Sequence, residues 1–264
     1  MIKHTLIKII VIFCVVTMTT LPLYSSVDAY KTRLVQGLLK VITRHKKALS
    51  PTKIKRLAEM AAQPKGTQTV KKALGKLNLP KEVLEDAYLR IAIRQGKVNR
   101  ILAERWFYQL RGIKGFRGAL SKVIGNSAAK TKGHLNEIAI AAESNYRGLK
   151  IQGIGIPYRD PLKASLTDID LKLSSAKRTY AVEVKAYRPE TRLPLDHIRA
   201  DLKTLQSYQR EEKNVVTVFS FRHKPHSPRD LQTLKLEAKR HHVHLIFGDP
   251  ASQAEQLKAL DMIQ

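Results

Sequence analysis

Two short segments carry side chains suited to phosphate chemistry. The first reads Thr167-Asp168-Ile169-Asp170-Leu171 and the second Ala181-Val182-Glu183-Val184-Lys185. Read as strands, they place Asp168 and Asp170 on one face, and Glu183 with Lys185 on one face opposed by Val182 and Val184. The turn-like Ser174-Ser175-Ala176-Lys177 joins them, and a hairpin closed there brings Asp170 within about two positions of Glu183. Hard divalent ions take oxygen ligands, commonly one or two carboxylates completed by water and substrate phosphate. Asp170 and Glu183 supply two such ligands, and the Val184 carbonyl a third. An ion so held polarises a phosphate and acidifies a bound water, while Lys185 orients that water or stabilises the developing charge. On spacing alone, an ordinary cross-strand salt bridge on a solvated face is the equal alternative. The setting favours chemistry, because the other face of the second segment is apolar and its expected neighbour, Val215 to Phe221, reads as a central strand.

These side chains need a framework, and the sequence changes texture at about Ala128 to supply one. A helix from about Gly133 to Asn145 precedes an extended run, Leu149 to Ile156, and then the hairpin strands Leu166 to Leu173 and Thr179 to Tyr187. Pro194 begins a helix marked on one face by Leu195, Ile198, Leu202 and Leu205. The continuous apolar run Val215 to Phe221 suits a strand buried on both sides. Ser227-Pro228 with Asp230 caps another helix, Val243, Leu245 and Phe247 alternate as a strand, and Asp249-Pro250 starts a terminal helix. This order predicts an α/β fold with a mixed sheet flanked by helices. Glu137, in Gly133-His134-Leu135-Asn136-Glu137, falls at the edge of the stripe formed by Leu135, Ile138, Ala139 and Ala142. It either sits on the helix surface or points into the acidic patch.

Asp170, then Glu183-Val184-Lys185, on two strands after a helix carrying Glu137, resembles the PD-(D/E)xK nuclease superfamily, nearest to archaeal-type Holliday-junction resolvases and restriction-endonuclease-like enzymes. The resemblance covers about residues 128 to 247 and rests on element order more than on letters. It implies an αβββαβ core, an acidic site for Mg²⁺ or Mn²⁺, and hydrolysis of DNA phosphodiester bonds. It implies further that Asp170 is the metal-binding aspartate, Glu183 the second acidic ligand, Lys185 the motif lysine and Glu137 the first-helix glutamate. Related enzymes are often dimers, so a homodimer is the assembly it suggests. No proline precedes Asp170, and Asp168 competes for its role. Asp170 is preferred because Leu171-Lys172-Leu173 continues the strand, as in the family's glutamate-isoleucine-aspartate-leucine variants, which leaves Asp168 as an accessory acid.

Charge points to the same class of partner. The 264 residues hold 48 Lys and Arg against 22 Asp and Glu, a formal charge of +26 that attracts polyanions. Residues 31–134 carry 25 basic and 5 acidic side chains, whereas residues 135–264 carry 21 and 16. DNA is therefore the expected partner; an anionic membrane surface competes by the same counterion physics. Apolar periodicity in residues 30–127 reads as a basic helical region, with helices opened by Ser50-Pro51 and by Pro80 (Lys81 to Gln95), a third from about Val98 to Arg111, and Gly112, Gly115 and Gly118 loosening the chain. Residues 128–264 form the nuclease-like domain.

Residues 1–29 stand apart. Lys3 and Lys8 precede an apolar run from Ile9 to Val16, and Val27-Asp28-Ala29 offers small residues at cleavage spacing. This reads as a signal peptide for an exported, periplasmic or secreted, product. A retained membrane anchor is the alternative, and the basic flank from Lys31 to Lys47 favours the cytoplasmic side. Cys14, the one cysteine, lies inside that run, so cysteine proteases and Cys-based zinc sites are excluded from the remainder.

Other reactive-looking groups have plainer readings. Gln206 and Tyr208 read as helix surface, His241, His242 and His244 share no ligand face, and Trp106, Phe107 and Tyr108 read as core before base-stacking. Two further functions fit the same features: a catalytically inactive nucleic-acid or membrane-surface binding protein with a nuclease-like fold, and a secreted nuclease toxin.

Overall fold

The computed structural model describes residues 81–125, 128–161 and 166–262; the segment 1–29 and the Ser50-Pro51 helix start lie outside them. Three helices come first: α1 (Lys81–Arg94), α2 (Arg100–Leu110) and α3 (Phe116–Gly125). α2 starts where the Asn99 side chain accepts the Leu102 N–H at 2.8 Å, which satisfies one orphan donor of the first turn. The glycines expected to loosen the chain act otherwise. Gly118 lies within α3, while Gly115 adopts a positive φ of 86°. A Cβ on Gly115 would stand 1.7 Å from the Ile154 carbonyl oxygen, and the adjoining Lys114 carbonyl accepts the Ile154 N–H at 2.9 Å. Only a residue without Cβ lets this loop dock there.

α4 (Ala128–Tyr146) leads into three strands, β1 (Lys150–Arg159), β2 (Leu166–Ser174) and β3 (Thr179–Lys185). After them come α5 (Leu195–Glu211), β4 (Val215–Phe221), α6 (Pro228–Arg240), β5 (His244–Phe247) and α7 (Pro250–Ala259). The five strands make one sheet in the order β1-β2-β3-β4-β5. β1–β2 and β2–β3 pair antiparallel, whereas β3–β4 and β4–β5 pair parallel. The sheet is therefore mixed and flanked by helices, as the element order predicts. β1 continues past Ile156 through Pro157, which an edge strand tolerates because one side of its ladder has no partner.

Helix stripes find the expected faces. Ile198, Leu202 and Leu205 of α5 bury against Ala181, Phe219 and Phe221, with Leu234 and Ala238 of α6 closing the same core. α4 packs on β1, β2 and β3, and α7 packs on α4 and β5. Burying each such leucine or phenylalanine contributes about 1.5–3 kcal/mol. Gln253 of α7 is fully buried; its Oε1 accepts a hydrogen bond from the Ser220 hydroxyl and its Nε2 donates to the Phe221 carbonyl at 3.1 Å, tying α7 to β4. α1, α2 and α3 belong to the same packed body, with α2 and α3 against α4, and α3 also against β1. No helix among the described residues is long and apolar enough to cross a membrane.

Candidate active site

β2 and β3 begin as a regular hairpin. Ser175 N–H bonds the Arg178 carbonyl at 2.9 Å in the turn, and the pairs run from Ser174↔Thr179 to Leu171↔Val182. There the ladder ends. β2 goes on with β1 alone, as Ile169↔Ile156 and Asp168↔Pro157, while β3 goes on with β4, as Glu183↔Phe219 and Lys185↔Phe221. Asp170 and Glu183 are the next residues on each strand, one at each lip of the split.

A split leaves backbone groups without partners, and Asp170 meets one of them: its Oδ2 accepts the Val184 N–H at 2.7 Å. The Lys185 carbonyl accepts from Arg222 N at 2.9 Å on the β4 side. Strand alternation therefore turns the Val184 carbonyl, like its N–H, towards the split.

Glu183 and Lys185 lie on the face that packs towards α5. Lys185 Nζ donates to Glu183 Oε1 at 2.5 Å and pairs with Asp201 Oδ2 of α5 at 2.9 Å. It also stands 5.9 Å from the centre of the Phe219 ring. These side chains are largely withdrawn from solvent, at 14 % exposure for Glu183, 20 % for Lys185 and 31 % for Asp201. Glu137 comes from α4. It is 7 % exposed, and its Oε1 pairs with His134 Nδ1 at 3.0 Å, so it faces inward rather than lying on the helix surface. Asp168 sits further out, where Lys122 Nζ reaches its Oδ2 at 3.3 Å.

The charges feel one another. Burial raises the Asp170 pKa well above the ordinary carboxylate range, and the charges of Glu183 and Glu137 raise it further against the Val184 N–H and Lys185. Burial also raises Glu183, to about 7; Lys185 opposes that rise, while Asp201 and Asp168 add to it. For Lys185 burial works downward, yet Glu183 and Asp201 outweigh it and hold the ammonium above its usual range. So Asp170, Glu183 and Lys185 occupy one electrostatic patch, with Glu137 close enough to act on Asp170. Among the described residues no three Asp, Glu, His or Cys side chains gather tightly enough to hold a metal ion by themselves. Asp170, Glu183 and the Val184 carbonyl offer hard oxygens, the kind of donor that Mg²⁺ or Mn²⁺ takes together with water and phosphate.

Asp201 is the residue that sequence reasoning passed over. Its signal was present, since it lies three positions after Ile198 on the buried stripe of α5, where a carboxylate is out of place without a partner. Two of the plainer readings need correcting: Tyr208, expected on the helix surface, is buried in the core, whereas Tyr108, expected in the core, is exposed. His241 Nδ1 meets Gln206 Oε1 at 3.1 Å, away from the patch. Tyr208 packs edge-on against Tyr158 with ring centres 5.0 Å apart. Trp106 is buried while Tyr108 is exposed, so the aromatic run is not one stacking face.

No family model matches the chain, and a search of curated proteins gives no match. Among solved structures, SfsA of Pyrococcus furiosus in complex with Ca²⁺ is similar at 17 % identity over 47 % of this chain and 61 % of that one, with a TM-score of 0.27. The chain spans less than two thirds of that protein, and a likeness so slight carries no property across.

Proposed function

We propose that this chain is a metal-dependent nuclease of the PD-(D/E)xK type that hydrolyses DNA phosphodiester bonds at the split between β2 and β3. The observation that supports this most is the placing of Asp170 and Glu183 on facing lips of the split with Lys185 beside them. The αβββαβ succession of α4 through β4 agrees with a restriction-endonuclease-like core. Asp170, Glu183 and the Val184 carbonyl would hold Mg²⁺ or Mn²⁺, with Glu137 shaping the field around them. Bound there, the ion supplies Lewis-acid polarisation of the phosphate and a more acidic water.

The protein's own groups divide the remaining work. Lys185 keeps its proton at any working pH, because two carboxylates hold it charged, so it serves as a donor to the oxyanion and not as a base. Asp201 and Glu183 fix its direction. Asp170 is anchored by the Val184 N–H, which leaves its second oxygen for a ligand. The excess of basic residues before Ala128 would hold the polyanion, and it makes binding steeply dependent on salt.

Incubating the purified full chain with plasmid and oligonucleotide DNA in Mg²⁺ tests this reading. Cleavage should fall at least about a hundredfold in Lys185→Ala and vanish in Asp170→Ala. Cleavage unchanged by both substitutions removes the site; DNA binding without cleavage by the wild type favours the inactive binding protein.

A further inference from the structure

We propose that Tyr187 is a further substrate-contacting residue of the candidate site, its hydroxyl donating a hydrogen bond to the phosphodiester that Lys185 also meets. This deepens the nuclease reading and rests on it. Tyr187 follows Lys185 by two residues, so strand alternation turns it towards the α5 face that already holds Glu183 and Lys185. The backbone is still tied to the sheet there, since the Lys185 carbonyl accepts the Arg222 N–H at 2.9 Å.

Packing fixes the ring on that face. Phe221 is the register partner of Lys185 on β4, and the Tyr187 ring lies against Phe221 with centres 6.4 Å apart and planes inclined at 41°. Phe221 meets Phe219 edge-on at 4.8 Å, and Phe219 is the ring beneath Lys185 Nζ. One aromatic shelf therefore carries both the ammonium and the phenol, and through it Tyr187 packs onto the core that includes Ile198 and Leu202 of α5.

The far end of the side chain is not used by the fold. Among the described residues the Tyr187 hydroxyl has no hydrogen-bond partner, whereas Tyr180 donates to Asp261 Oδ1. Burial raises the Tyr187 pKa; Lys185 opposes that rise, while Asp201 and Glu183 add to it, so the hydroxyl lies in the field of the site's own charges and keeps its proton. It is a donor in want of an acceptor. Lys185 has three N–H donors, and Glu183 and Asp201 engage two of them. The one left can hold a phosphate oxygen at a single point, about which the group still turns. A second donor, on a ring held by packing, fixes its orientation, and orientation is what a reacting phosphodiester needs.

Tyr187→Phe keeps the ring and removes the donor. With the full chain and oligonucleotide DNA in Mg²⁺, kcat/KM should fall by about tenfold, while urea unfolding and Mn²⁺ affinity stay as in the wild type. A phosphorothioate placed at the mapped cleavage position gives a readout that packing alone does not move. Sulfur is the weaker hydrogen-bond acceptor, so one of the two diastereomers should slow the wild type at least about threefold more than it slows Tyr187→Phe. Equal kcat/KM in the two proteins, a fall matched by lost stability or lost Mn²⁺ affinity, or the same slowing by both diastereomers in both proteins overturns the role of Tyr187 and leaves the nuclease reading standing. No cleavage by the wild type overturns both.

Discussion

Asp170 Oδ2 takes the Val184 N–H at 2.7 Å at the place where the β2–β3 ladder stops, so a side chain replaces the missing strand acceptor. The same carboxylate is forced to share a poorly hydrated space with Glu183 and Glu137, which raises its pKa. Structure and charge thus pull in opposite directions at this residue.

Asp170→Asn separates them. The amide oxygen still accepts the Val184 N–H, while the charge that repels Glu183 and Glu137 is gone. Near pH 8, without divalent ions, urea unfolding should show this variant more stable than the wild type by about 1 kcal/mol, with cleavage lost. A clear loss of stability would mean that the carboxylates do not repel one another as described.

Glu183 sets the pH dependence. Its folded pKa of about 7 lies above the reference 4.5, so between those values the folded state keeps a proton that the unfolded chain has released. Stability without divalent ions therefore falls as pH rises through that window, by about 3 kcal/mol at most, and levels off above it. Cleavage runs the other way, rising as Glu183 ionises towards pH 7 and beyond. Thermal melts and rate profiles from pH 5 to 8.5 check both limbs; parallel rather than opposed trends would contradict the assignment.

Asp201 acts through its neighbours. Its charge raises the Glu183 pKa and its oxygen holds Lys185 at 2.9 Å. Asp201→Asn should lower the rate by about tenfold and move the rising limb of the pH profile to lower pH. A fall in rate with an unmoved limb would assign Asp201 a packing role only.

The docking loop gives a test of the fold itself. Gly115→Ala places a methyl group against the Ile154 carbonyl at a positive φ and should cost more than about 2 kcal/mol. Gly96→Ala, also at positive φ but with open space around it, should cost only about 1 kcal/mol. Equal costs, read by urea unfolding, would mean that the loop does not sit on β1.

What the sequence shows depends on whether the cause is local. Val215–Phe221 is legible to the residue because an unbroken apolar run needs a buried strand. α6 and α7 are legible because Ser227 and Asp249 cap them within a few residues of their starts. α3 is not, because Gly115 and Gly118 read as breakers until the approach of Ile154 explains the first and helical packing absorbs the second. At the site, Asp170, Glu183 and Lys185 declare themselves by strand alternation. Asp201 and the split in the ladder do not, since both arise from contacts between segments far apart in the chain.

The claim on which the account stands is that the carboxylates at the split bind a divalent cation, and Mn²⁺ titration followed by electron spin resonance measures this directly. The wild-type chain should bind Mn²⁺ saturably, and Asp170→Asn and Glu183→Gln should each weaken it by at least about tenfold. Equal Mn²⁺ affinity in all three proteins would contradict it.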